Sequence, residues 1–173
     1  LQKAAAACRN HIRAIPDSSR LLSQCAAIQS LLGNKELSLT WAKSGVSIDP
    51  DRLGAWFTLA MVQFRAGELK GLRETCDQIE RREPRNHGAA AYRAYSYALE
   101  GKYPQALALL RKGESPESLK NLTFLSQRGY LAARCNDKQV LDDTLNRIVA
   151  HKDHPNCTAE RAIIASAQGG MDI

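Results

Sequence analysis

The sequence predicts an all-α protein made of antiparallel helix pairs that repeat along the chain. Three prolines are spaced 34 residues apart: Pro16, Pro50 and Pro84. Three glycines share this spacing and lie about midway between the prolines: Gly33, Gly67 and Gly101. Proline stops a helix, and glycine adopts the left-handed backbone of a helix terminus at little cost. Each period therefore predicts two helices joined by a glycine turn.

Composition indicates one globular chain with its own core. The 173 residues are 44% hydrophobic, which is enough to bury a core without a disulfide scaffold. Five cysteines are widely spaced and contain no C-x-x-C pair, which predicts small buried side chains: Cys8, Cys25, Cys76, Cys135 and Cys157. This cysteine usage favours a reducing, cytoplasmic location. The formal net charge of +6 permits an acidic partner, although the basic residues are scattered, and we expect no membrane insertion.

The repeats divide one predicted domain, residues 1–173. Residues 1–16 are predicted to be the second helix of a truncated repeat, because Ala4, Cys8 and Ile12 lie on one helical face. Three full repeats, an irregular repeat and a C-terminal capping helix with a tail are predicted to follow, over residues 17–50, 51–84, 85–118, 119–154 and 155–173. Because the sequence begins at Leu1 without methionine, we interpret it as part of a longer protein.

The middle repeat carries the most specific motif. Residues 56–60 read Trp-Phe-Thr-Leu-Ala. Small, apolar and turn-forming residues follow at set distances: Gly67, Leu72, Cys76, Ile79 and Pro84. This order resembles the consensus of the tetratricopeptide repeat (TPR) family.

The flanking repeats follow the same pattern less closely. In the first repeat Leu22 stands in place of the tryptophan, and Cys25 with Ala26 fills the next motif positions. In the third repeat Arg93 stands where an apolar residue is expected. Either its stem lies along the core with its charge in water, or the register slips by one residue there. In the irregular repeat we predict a turn at Asn136 and Asp137. The resemblance covers residues 17–112 well and roughly 1–150 in all.

The resemblance implies a right-handed superhelix in which the first helix of each pair lines a concave groove. Carried over residue by residue, the family's inward-facing positions form a predicted partner-binding groove: Gln24, Phe57, Thr58, Met61, Phe64, Arg65, Tyr92, Tyr95, Tyr130 and Arg134. The same register adds Arg20, Ala27, Leu31, Leu99 and Gln127. Rigid aromatic side chains near arginine are typical of interface hot spots. The basic clamp with which some family members hold a C-terminal carboxylate is absent, because the matching positions are Ser23, Ala27, Thr58, Gly88 and Tyr92.

No catalytic motif occurs in the sequence. The chain lacks G-x-S-x-G, the P-loop pattern and H-E-x-x-H, so we predict no catalytic residues, no cofactor and no metal site. His151, Asp153, His154 and Cys157 are residue types that suit zinc, but their spacing matches no closed site, and we interpret them as a polar loop.

Three functions remain open. The favoured one is a protein-interaction module that binds a peptide or helical segment of a partner in the groove. The alternative is a TPR arm of a larger enzyme, such as a transferase or hydroxylase, that recruits the substrate. An RNA-binding helical repeat is disfavoured, because base recognition needs polar residues where this chain has Gly54, Gly88 and aromatics. Self-association is left open.

Overall fold

The computed structural model describes residues 2–150 together with residues 164, 165 and 167. Over this part of the chain it contains α-helices, one short 3-10 helix at Ser118–Lys120 and no strand. The α-helices are α1 (Gln2–Ala14), α2 (Ser19–Leu31), α3 (Lys35–Ile48), α4 (Leu53–Ala66), α5 (Leu69–Arg82), α6 (His87–Ala98), α7 (Tyr103–Lys112), α8 (Leu122–Arg134) and α9 (Lys138–Val149). The predicted all-α class is confirmed.

The predicted glycine turns are present in all three regular repeats. The φ angles of Gly33, Gly67 and Gly101 are 79°, 80° and 75°, in the left-handed region. The residue after each glycine donates its N–H to the carbonyl five residues earlier, at 3.0, 2.9 and 3.0 Å respectively. This Schellman arrangement satisfies carbonyls at the end of the first helix and starts the chain back along it.

Asparagine performs the same function in the irregular repeat. Asn136 has a φ of 56°, and the N–H of Asp137 donates to the carbonyl of Ala132 at 2.9 Å. Asparagine is one of the few residues other than glycine that tolerates this backbone region. The side chain of Asp137 then caps α9 by accepting the N–H of Val140 at 3.1 Å. The turn predicted at these two residues is therefore present.

The chain divides into two compact units, Leu1–Pro84 and Arg85–Ile173. In the first unit each helix from α1 to α5 packs against the next, and α2 also contacts α4. Short loops between consecutive packed helices make the pairs antiparallel. Ala26, Ala42 and Ala55 are fully buried in the core of this unit. Their short side chains let the helices approach closely, and larger residues such as Leu59 fill the space between them.

The second unit follows the same plan. Each helix from α6 to α9 packs against the next, and α6 also contacts α8. Leu110, Leu125 and Ile148 are fully buried. Ile164 and Ala167, which are helical, are also buried in this core. The other residues of the predicted capping segment 155–173, and the polar cluster at residues 151–157, lie outside the described residues.

The register does not slip at Arg93. Ala26, Ala60 and Ala94 stand one period apart and are all buried, with exposures of 0%, 0% and 1%. Arg93 is half-buried, one residue before Ala94. The predicted alternative of a one-residue slip is therefore not the one observed.

The described cysteines are free thiols. Cys8, Cys25 and Cys76 are buried, as predicted, whereas Cys135 is only half-buried at the C-terminal end of α8. Cys157 is outside the described residues.

Candidate functional site

Two predicted groove residues come together with Gln127 in a cleft of the second unit. Tyr95 on α6 and Tyr130 on α8, with Ser126 and Gln127, line a cleft of about 180 Å³. Both tyrosines are half-buried, and Tyr130 packs against the core of the unit. The cleft is thus framed by two tyrosine rings, and the packing of Tyr130 against the core limits the entropy that this ring loses when a ligand binds.

Gln127 gives the cleft a directional polar group. Its side chain is only 8% exposed, and its Oε1 has no hydrogen-bond partner among the described residues. The hydroxyl of the neighbouring Ser126 donates to the carbonyl of Thr123 at 3.1 Å, so it does not serve this oxygen. A buried acceptor left without a donor costs on the order of 1–3 kcal/mol. An N–H group supplied by a ligand would remove that cost.

Local sequence fixes where α8 begins and which of its side chains share a face. Asn121 caps the helix by accepting the N–H of Phe124 at 3.0 Å. Gln127 and Tyr130 are three residues apart, which places them on one side of the helix. Gly129 packs closely against the core. A Cβ added there would lie 2.9 Å from Cγ1 of Ile164 and 3.2 Å from Cγ2 of Thr144. This contact fixes α8 from the side of the core.

Arg134, also predicted to line the groove, is engaged by α7. Its guanidinium carbon lies 4.6 Å from the centre of the Tyr103 ring, and its Nη2 donates to the Tyr103 hydroxyl at 3.3 Å. Its Nε is buried and has no hydrogen-bond partner in the described part of the chain. Tyr92, on α6, is half-buried. A binding role for these two residues stays a prediction.

The remaining predicted groove residues belong to the first unit. Phe57, Thr58, Met61 and Phe64 are half-buried on α4, whereas Arg65 on α4 and Gln24 on α2 are exposed. The hydroxyl of Thr58 donates to the carbonyl of Gly54 at 2.9 Å, and Met61 packs against the core of this unit. Their role in binding also stays a prediction.

A buried ion-pair network in the second unit was not predicted from the sequence. The side chain of Arg128 is 7% exposed; its Nε lies 2.8 Å from Oε1 of Glu114 and its Nη1 lies 2.9 Å from Oδ2 of Asp143. Nη1 also donates to the carbonyl of Val140 at 3.1 Å and to the hydroxyl of Thr144. The network ties the loop after α7 and the first turns of α9 to α8.

Charge in this network also affects Asp143. A hydrogen bond from Arg147 is the main reason that the pKa of Asp143 is lowered, and the positive charge of Arg128 adds to it against the opposing effect of burial. The bond in turn raises the pKa of Arg147. The partners of Arg128 stand 14 and 15 residues away on other elements, so no local motif reveals them. We interpret the network as structural, because both carboxylates are already paired.

The described ranges contain neither a metal-ligand cluster nor a helix that could span a membrane. No group of three or more histidine, cysteine, aspartate or glutamate side chains there is arranged to hold a metal ion. Of the helices at residues 2–150, none combines the length and the apolar character that crossing a membrane requires.

Solved structures share the fold of this chain. TTC0263, a thermophilic TPR protein of Thermus thermophilus, is 22% identical with a TM-score of 0.74, over 95% of this chain and 88% of that chain. MamA of Desulfovibrio magneticus RS-1, residues 41 to the end, is 13% identical with a TM-score of 0.68, over 89% and 87%. YrrB, described as a TPR protein with an unusual peptide-binding site, is 15% identical with a TM-score of 0.58, over 97% and 85%.

These similarities confirm the predicted resemblance at the level of the fold. The chain has a TPR-like helical-repeat fold. No protein-family model and no curated protein sequence matches it.

Proposed function

We propose that this chain is a protein-interaction module that binds an extended segment of a partner protein. The cleft formed by Tyr95, Gln127 and Tyr130 is the proposed anchor point. The observation that carries the proposal is Gln127, which lines the cleft next to two tyrosine rings and whose buried Oε1 has no donor among the described residues. An extended peptide offers backbone N–H groups along its length, and one of them would complete the hydrogen bonding of Gln127.

The dimensions and lining of the cleft specify the bound group further. A volume of about 180 Å³ is suited to one side chain rather than to a whole ligand. Tyrosine rings provide a large apolar contact at a small entropy cost, so the inserted side chain should be apolar or aromatic. The peptide-binding site named for YrrB, a protein of similar fold, supports this class of function.

Peptide selection with matched variants tests the proposal. Linear peptides would be selected from a displayed random library on the wild-type chain, and their affinities measured by calorimetry. Gln127→Met removes the acceptor at similar size and should weaken binding by about tenfold, the value of one hydrogen bond of about 1.4 kcal/mol. Tyr130→Ala should weaken it at least as much. Gln139→Met, an exposed glutamine on α9, is the matched control and should change nothing.

Stability measurements separate a binding role from a structural one. Because Gln127→Met removes a buried oxygen without a donor, the variant should be as stable as the wild type or more stable in urea unfolding. Loss of binding together with unchanged or higher stability supports the proposal. Failure to select any peptide, or selected peptides that bind both variants with wild-type affinity, contradicts it.

A further inference from the structure

The first repeat has an open cleft on a different set of residues. About 480 Å³ of space is lined by Ile12 and Pro16 at the end of α1, Leu22 on α2, and Trp41 and Ile48 on α3. Three hydroxyl side chains of α3 complete the lining: Thr40, Ser44 and Ser47. This volume lies within the range of small-ligand sites, and the lining is mainly apolar with a few polar groups, as such sites usually are.

The repeat period identifies the same place one repeat later. Adding 34 residues converts Pro16 to Pro50, Leu22 to Trp56 and Ile48 to Arg82. The backbone is equivalent at the two places. In both, a two-residue turn that begins at the proline joins the helices, and the next helix starts after a residue in extended conformation: Ser18 with φ −96° and ψ 99°, Arg52 with φ −76° and ψ 99°.

In the second repeat an indole ring occupies this place. Trp56 Nε1 donates to the carbonyl oxygen of Pro50 at 2.7 Å. The guanidinium carbon of Arg82 lies 4.6 Å from the centre of the Trp56 ring. In the first repeat the shorter Leu22 and the uncharged Ile48 stand at these positions, and the cleft is open.

The third repeat closes the corresponding place in another way. Its equivalent residue is Ala90, which is 7% exposed. Gly113 lies against it, since a Cβ added to Gly113 would come within 2.5 Å of the Ala90 Cβ. The equivalent position is thus filled by the Trp56 ring in the second repeat and covered by Gly113 in the third. The first repeat differs from both.

We infer that the cleft of the first repeat binds an indole ring supplied from outside the chain. The apolar side chains of Ile12, Leu22 and Ile48 would contact the ring, and Trp41 offers an aromatic neighbour. The carbonyl of Pro16 is the equivalent of the acceptor that Trp56 uses. A tryptophan side chain in a partner segment and a free indole compound share this chemistry. This inference is independent of the proposed peptide-binding cleft, because the two sites are lined by different residues.

Small probes test the site directly. N-acetyl-tryptophanamide would be titrated into the chain while the methyl resonances of Ile12, Leu22 and Ile48 are followed by NMR. A ligand of this size should bind with a dissociation constant on the order of 1 mM. Saturable shifts at these methyls support the inference. No shifts, or equal shifts with N-acetyl-leucinamide, which lacks the ring, overturn it.

Two substitutions convert the first repeat towards the second. Leu22→Trp fills the cleft with the chain's own ring and should abolish binding of the probe. Ile48→Arg recreates the cation of Arg82 and should strengthen binding by about two- to fivefold, the effect of an exposed cation–π contact. Undiminished binding in Leu22→Trp, or weaker binding in Ile48→Arg, overturns the inference. Helical content measured by circular dichroism checks folding. If Leu22→Trp does not fold, the Ile48→Arg variant and the titration with N-acetyl-leucinamide still test the inference.

The source of the ring needs a separate comparison. A short peptide containing one tryptophan would be compared with the free amide and with the same peptide carrying phenylalanine. Tighter binding of the tryptophan peptide than of the amide supports the inference and assigns the ring to a partner polypeptide. Equal affinities support it and assign the site to a free indole compound. Equal binding of the phenylalanine peptide contradicts it, because the N–H donor would then play no part.

Discussion

Trp56 and Arg82 share one acceptor, the carbonyl oxygen of Pro50. Trp56 Nε1 donates to it at 2.7 Å and Arg82 Nε at 2.9 Å. The guanidinium group also lies over the indole ring. A proline that stops a helix therefore leaves a carbonyl that joins the start of α4 to the end of α5. The proline that sets the repeat period also takes part in packing between helices.

Arg82→Ala should destabilise the chain modestly. It removes a hydrogen bond to Pro50 and a cation–π contact, each worth roughly 0.5–1 kcal/mol at an exposed site, so we expect a loss of about 1–2 kcal/mol. Urea unfolding measures the difference. Arg81→Ala is the matched control, because Arg81 is also exposed on the same turn of α5. Equal losses in the two variants would show that the contact contributes nothing specific.

Gly113→Ala should destabilise through a steric clash. The added Cβ would lie 2.5 Å from the Cβ of Ala90, and forcing extra volume into a packed site costs about 1–3 kcal/mol. Gly33→Ala is a useful contrast, because no atom lies within 4 Å and only its φ of 79° opposes the substitution. In a double-mutant cycle, Ala90→Gly should relieve the Gly113→Ala defect but not the Gly33→Ala defect. Additive losses in both combinations would contradict the clash.

Removing the carboxylates of the Arg128 network should lower the free energy of unfolding more than removing the arginine. Replacing both carboxylates, with Glu114→Gln and Asp143→Asn, leaves a guanidinium that is 7% exposed without an anionic partner. Breaking a buried pair in this way costs about 3–5 kcal/mol. Arg128→Met leaves carboxylates that are 22% and 41% exposed and accept water instead, so we expect a loss of about 1–2 kcal/mol. Chemical denaturation of the carboxylate double variant and of Arg128→Met tests this prediction. A larger loss of stability in Arg128→Met would contradict it.

Alkaline pH should destabilise the first unit through Cys25. Burial is the main cause that raises the pKa of this thiol from 9.0 to about 12, and the hydrogen bond and charge of Cys8 add to it. The folded state therefore holds the proton more tightly than the unfolded state. The resulting stability is fully present below about pH 9 and is lost as the pH rises towards 12, by at most about 1.4 kcal/mol per pH unit.

Cys25→Ala provides the control for this pH dependence. Unfolding free energies of the wild type and the variant would be measured from pH 7 to about pH 10.5, a range that spans the ordinary thiol pKa. The variant loses stability at neutral pH because it leaves a small cavity, but its curve should fall less steeply above about pH 9. Parallel curves would show that Cys25 is not responsible.

The helices and turns could be predicted because local residues determine them. The left-handed glycines and the prolines that precede each pair act over a few residues, and their spacing is visible in the sequence. The register around Arg93, in contrast, could not be predicted from local residues alone. A single charged residue is compatible with two registers, and only the burial of Ala94 decides between them.

The candidate site could be predicted only in part. Tyr95, Gln127 and Tyr130 lie together because the repeat register places them on packed first helices, and the sequence reveals that register. The contact of Arg134 with Tyr103 joins α8 to α7, and no pattern within either helix indicates it. The partners of Arg128 are on other elements, and no periodicity within α8 indicates them.

Packing between near neighbours in the sequence has a kinetic consequence. In both units the principal helix contacts join elements that are consecutive or next but one along the chain. Such short-range topology requires little loop closure, and helical proteins of this kind fold within microseconds to milliseconds. During synthesis, the second hairpin of each unit therefore finds its docking surface already formed by the hairpin that left the ribosome before it.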